Sequence, residues 1–221
     1  MKKFVVIIAA VVVIAVIAVV VMKVAASQQV KFEDVKHLVE PQIVELPTCK
    51  VMSCKVSGNV PKDMVTPAIK QLFSVRYQAE GIPNSPDFNT IYARWEQSLP
   101  ENKDSLTAEI ALMVPQIFSQ LPEIKDKDAL KVTITTWEYG TTAQILHVGG
   151  YEKEFLTVEK LKDFIAKSGY EIYGPHEEVY LKGPTMFGAG NPEKYLTLIR
   201  YRVHKVDENP FVDENNSLTA D

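Results

Sequence analysis

Glu109 is a lone carboxylate in an apolar stretch, with Ala108 before it and Ile110 to Val114 after it. A carboxylate so placed can face a pocket only if a partner offsets its desolvation. The alternatives are an internal salt bridge or an exposed strand position. Tyr92 and Tyr180 could line a site with rings and hydroxyls, or pack in a core with the hydroxyl satisfied. Trp95 and Trp137, the two tryptophans of the chain, offer faces that hold a planar or cationic ligand, although tryptophans also fill cores and shield edges. Tyr139, Tyr151 and Tyr195 share that ambiguity.

Other residues with chemical potential are poorly arranged for catalysis. His37, His147, His176 and His204 have no pair at a recognised metal-ligand spacing, and no serine or cysteine sits in a nucleophile motif. No metal and no cofactor are expected. Cys49 and Cys54 fall on opposite faces of the segment from Cys49 to Ser57 if it is extended, which argues against a disulfide between them. Two cysteines without a nearby histidine also fall short of a structural zinc site.

The elements that position these residues recur along the chain. The strand-like run from Cys49 to Ser57 ends at Gly58, and Thr133 to His147, a strand or tight hairpin, ends at Gly149-Gly150. A helix follows each. Val65, Ile69, Leu72, Phe73 and Arg76 have helical spacing in the first, and Phe155, Val158, Leu161, Lys162 and Ile165 have it in the second. Gly81 and Gly169 suit the C-terminal caps. Tyr92 lies as far beyond Gly81 as Tyr180 lies beyond Gly169, each in a short strand-like segment, and a last strand follows each, Ala108 to Val114 and Tyr195 to Val203. The expected fold is α+β, a pseudo-twofold tandem repeat of β-α-β-β units with a central ligand cleft. The units are expected to meet near Pro122 to Asp128.

His147-Val-Gly-Gly-Tyr-Glu152, Ser168-Gly-Tyr170 and Gly174-Pro-His-Glu-Glu-Val-Tyr-Leu181 with Pro184 resemble the second half of the GyrI-like domain, the effector-binding domain of AraC-type regulators, a SOUL-like two-unit ligand-binding fold. Val56-Ser-Gly58, Tyr92 and Ala108 to Pro115 fit its first half. The resemblance covers residues 43–205. It implies a central cleft that binds lipophilic or cationic organic compounds, with Glu109 matching a glutamate that reaches the cleft. The residue as far beyond Tyr180 as Glu109 is beyond Tyr92 is Thr197, so the second unit lacks that carboxylate. Tyr92, Tyr180, Trp95 and Trp137 complete the expected ligand-binding set. Some members of the family are hydrolases, and the resemblance leaves open an enzyme that acts on small electrophiles through Glu109 and cleft tyrosines. An envelope protein-interaction module is the third reading.

The ends add an address. Met1-Lys2-Lys3 precedes an unbroken apolar run from Phe4 to Met22, which Lys23 ends. As a helix at about 1.5 Å per residue the run spans roughly 29 Å, close to a bilayer's hydrocarbon thickness. Residues 1–26 therefore read as a single-pass membrane anchor, or as a signal peptide cleaved near Val24 to Ser27. Lys2 and Lys3 favour a cytoplasmic N-terminus, which places the following domain outside the cytoplasm; cleavage would make it secreted or periplasmic. Residues 27–42 read as a stalk and 206–221 as an acidic flexible tail. With a formal net charge of -4 and scattered basic residues, the chain shows no nucleic-acid footprint, and no DNA-binding helix pair is read in it. The expected partners are a small organic ligand and a membrane.

Overall fold

Strand side chains alternate between two faces, so the pairing register decides which residues meet. The computed structural model describes residues 30–58, 61–96, 106–124, 126, 128–184 and 190–206. The apolar run Phe4 to Met22 and the tail from 207 lie outside the described residues, and so do 27–29 of the expected stalk. Among the described residues no helix is long and apolar enough to cross a membrane.

In chain order the elements are α1 (Phe32–Val35), β1 (Gln42–Leu46), β2 (Cys49–Gly58), α2 (Pro61–Gln78), α3 (Pro86–Asn89), β3 (Ile91–Trp95) and β4 (Leu106–Val114). After these come β5 (Thr133–Trp137), β6 (Gly140–Val148), α4 (Glu154–Lys167), β7 (Tyr170–Ile172), β8 (His176–Lys182) and β9 (Leu196–Lys205). Strand, helix, strand, strand thus occurs twice, as β2-α2-β3-β4 and β6-α4-β8-β9, with β7 added in the second. The strands form one sheet in the order β1-β6-β9-β8-β3-β4-β2-β5, and β7 pairs with β9. All pairings are antiparallel. The seam between the units is β3 against β8, which sets Ile91 opposite Tyr180 and Arg94 opposite Glu177.

Two short links force this sheet to curl. Only Glu138 and Tyr139 separate β5 from β6, and only Pro47 and Thr48 separate β1 from β2, yet each link joins strands near opposite ends of the sheet. Fully stretched, such a link reaches about 11 Å. The ends must therefore come round toward each other, giving a curled antiparallel half-barrel. Thr133 to His147, expected as one strand or hairpin, is two strands whose partners differ: β5 pairs with β2, and β6 with β1 and β9.

Both long helices cover the outer face. Met64, Ala68, Leu72 and Val75 of α2 pack on Met52, Cys54, Ala93, Trp95 and Ile110. Val158, Leu161 and Ile165 of α4 pack on Ala143, Ile145, Ile199 and Val203. Their positions recur every three to four residues, so a single stripe of each helix is buried. Beyond the helices Gly81 and Gly169 have φ of 82° and 77°, the left-handed turn expected of a capping glycine. The sheet separates the two thiols: Cys54 lies in the outer core and Cys49 packs against the inner cluster. The stalk also ends on the domain, where Leu38 packs against the inner cluster and Lys160 pairs with Glu40 at 2.8 Å.

Candidate functional site

The inner face of the half-barrel carries a line of polar side chains across seven strands. The registers set Gln42 opposite Gln144, Gln144 opposite Arg200, and Arg200 opposite Glu177. They continue from Glu177 to Arg94, from Arg94 to Glu109 and from Glu109 to Lys55. Directly opposed residues share a face, so the whole line points inward. Its charged members alternate in sign from Arg200 to Lys55.

Glu177 is the hub, with 3% of its surface exposed. Its Oε2 accepts from Arg94 Nε at 2.8 Å, and its Oε1 accepts from the Tyr139 hydroxyl at 3.0 Å and from Arg200 Nη1 at 3.5 Å. Three donors compensate the desolvation of this carboxylate. The Arg94 guanidinium lies 3.8 Å from the centre of the Trp137 ring and 4.9 Å from that of Tyr139, a cation–π arrangement held by aromatic groups with little solvent access. Tyr92 meets Trp137 edge-on at 6.3 Å. Val51, Ala111, Val179 and Leu198 fill the space between them. Burial, reinforced by the Glu177 charge, holds the Tyr139 phenol well above its usual range, so it remains a donor. Burial likewise pushes the Cys49 thiol up to about 11, which leaves it neutral.

A recess of about 10 Å³ opens beside this pair, lined by Arg94, Tyr139, Thr142, Pro175, Glu177, Arg200 and Arg202. That is room for about one water molecule. Gly174 lies close against Arg202, one of the lining residues, since a Cβ at this position would stand 2.9 Å from Arg202 Nε and 3.0 Å from Arg202 Cβ.

Of the residues singled out from sequence, the structure gathers Tyr92, Trp137 and Glu109 on the inner face. Glu109 is half-buried, accepts from Ser53 Oγ at 2.7 Å and stands opposite Arg94. Trp95 and Tyr180 are on the outer face. Trp95 lies in the core beneath α2, and Tyr180 stacks edge-on with Tyr151 at 6.0 Å. The equal spacing of Tyr92 and Tyr180 from their glycines therefore does not make them neighbours: Tyr92 is opposite Val179 and Tyr180 opposite Ile91, and a one-residue offset reverses the face. Thr197 also faces outward, being opposite Tyr180. The inner carboxylate of the second unit is Glu177 in β8, not a residue of the last strand. Arg94, Glu177, Arg200 and Arg202 were missed; the three arginines each stand between apolar or aromatic residues, a signal that could have marked them, whereas Glu177 stands between His176 and Glu178 and carries no such local signal.

The outer face has its own polar cluster. His176 Nε2 lies 3.2 Å from Glu178 Oε1 and 3.5 Å from Glu154 Oε1, and Nδ1 lies 2.8 Å from the Tyr201 hydroxyl. Burial alone would lower the imidazole pKa, but hydrogen bonds to Glu154 and Glu178 outweigh it and raise it to about 9. Burial raises Glu154, an effect partly offset by the His176 hydrogen bond. The three residues offer ligand atoms within 4.8 Å of one another, a set able to take a divalent cation only after the imidazolium proton leaves. Sequence spacing hid it because Glu154 comes from the start of α4 and the others from β8. As they stand, an imidazolium satisfies two buried carboxylates.

A curled antiparallel sheet with two outer helices and an aromatic, charge-paired inner face is the architecture of a small-molecule-binding domain. Residues 39–204 match the GyrI-like small molecule binding domain, and the chain belongs to that family. No curated protein matches it. Among solved structures it is similar to a hydrolase from Listeria innocua, with 18% identity and a TM-score of 0.59 over 80% of this chain and 100% of that one. It is also similar to the EcmrR C-terminal domain, with 15% identity and a TM-score of 0.54 over 76% of this chain and 98% of that one. At these identities the likeness is one of fold.

Proposed function

We propose that the chain binds a small organic compound on the inner face of the half-barrel, and that the run Phe4 to Met22 tethers this domain to a membrane on the extracytoplasmic side. The observation that carries the binding reading is the aromatic cage of Tyr92, Trp137 and Tyr139 around the Arg94–Glu177 pair. Rings supply apolar contact, and the buried charges fix orientation, the division of labour found in ligand sites. Glu109 borders the cage through Arg94. Glu177 and Glu109 already accept hydrogen bonds, which supports binding in preference to hydrolysis by either carboxylate. Membership of the GyrI-like small-molecule-binding family supports the same reading.

The test is equilibrium binding of a panel of aromatic compounds to the full chain in detergent, repeated with Trp137→Leu and Tyr92→Leu. Loss of a ring wall is expected to weaken binding by at least about tenfold. Hits that bind both variants as tightly as the parent would move the site off the inner face. For the tether, the full chain is expected in the membrane fraction and a chain lacking residues 1–26 in the supernatant. Full-length, unprocessed protein in the supernatant would overturn it.

A further inference from the structure

We propose that the compound bound on the inner face carries a carboxylate, one oxygen of which enters the recess between Arg94, Arg200 and Arg202; this rests on the inner-face binding reading. The resemblance to the GyrI-like family implies lipophilic or cationic compounds. The charges of this chain argue against the cationic ones. The recess is lined by three guanidinium groups and one carboxylate, and that carboxylate, Glu177, is already bound by Arg94, Arg200 and Tyr139. Glu109 lies on the far side of Arg94, held by Ser53, and is not part of the lining. An incoming cation would meet a surplus of like charge in a site shielded from water, where that repulsion is weakly screened.

Unsatisfied donors point the same way. Arg94 Nη2, Arg202 Nε and Trp137 Nε1 are buried and have no hydrogen-bond partner among the described residues. A buried N–H without an acceptor carries its full desolvation cost, so the inner face lacks acceptors rather than donors. A ligand carboxylate provides oxygens that guanidinium groups match in shape and charge. The recess has room for about one water molecule, so it takes a single carboxylate oxygen, and the rest of the group stays at its mouth.

The experiment is calorimetric titration of the full chain in detergent with three probes that share one ring: 2-naphthoate, 2-naphthalenemethanol and 2-naphthylmethylammonium. The naphthoate is expected to bind at least tenfold more tightly than the ammonium compound, with the alcohol between them. That preference should fall several-fold in Arg202→Gln, which leaves the Arg94–Glu177 pair in place, and should weaken with added salt. Tighter binding of the ammonium compound, lost in Trp137→Leu, would overturn the carboxylate assignment while leaving the inner-face site standing. Equal binding of all three would also overturn it, as would a naphthoate affinity unchanged in both Arg202→Gln and Arg200→Gln. Failure of all three to bind would overturn the assignment together with the binding reading on which it rests.

Discussion

Arg94 and Glu177 form a buried ion pair, 12% and 4% exposed in their side chains. Removing Arg94 takes away the shortest of three donors to Glu177 and leaves Arg200 and Tyr139 in place, so the loss is that of a charge-assisted hydrogen bond, about 1.5–3 kcal/mol. Arg94→Met is therefore expected to lower unfolding free energy by about that amount in urea titration. Arg94→Met combined with Glu177→Leu should lose clearly less than the two single changes added together; additive losses would show that the pair is not coupled. His176 sets a pH dependence at the same scale. Its folded pKa of about 9 stands above its unfolded value near 6.5, so its contribution is full below about pH 6.5 and disappears as pH rises toward 9. Glu154 is also raised, and its contribution likewise declines with rising pH. The melting temperature should fall between pH 6.5 and 9, and the fall should be much smaller in His176→Gln. These residues were the least legible from sequence. Glu109 was visible because it stands alone among apolar residues, but Arg94, Glu177 and Arg200 acquire their meaning from cross-strand pairing, and local spacing does not encode pairing.

Elements were more legible. The apolar spacing in α2 and α4 marked both helices, and Leu72 and Leu161 are fully buried where that spacing puts them. Leu72→Ala and Leu161→Ala are each expected to cost about 2–5 kcal/mol in chemical denaturation. Gly81 and Gly169 have positive φ in corresponding turns, so alanine at either should cost about 1–2 kcal/mol. A cost near zero at one of them would mean that its turn relaxes. The order of elements was also readable, because each glycine-ended helix is followed by two strand-like segments. The side on which Tyr180 and Trp95 fall was not, since one residue of slip in strand register exchanges the two faces. Nor did the run from Thr133 to His147 disclose that its halves pair with strands at opposite ends of the sheet.

For the whole molecule, closure follows from chain connectivity. The two-residue links at Pro47-Thr48 and Glu138-Tyr139 bring the ends of the sheet together, and the resulting curvature turns a line of cross-strand pairs into the wall of a site. One consequence is that the two tryptophans report on opposite sides of the sheet: Trp137 belongs to the inner cluster and Trp95 to the outer core. The most direct test of the central claim is fluorescence of two single-tryptophan chains, Trp95→Phe and Trp137→Phe, titrated to saturation with an aromatic compound that the protein binds. An inner-face site predicts that the emission of Trp137, read in Trp95→Phe, changes on binding, while that of Trp95, read in Trp137→Phe, stays constant. A response from Trp95 with Trp137 silent would contradict it.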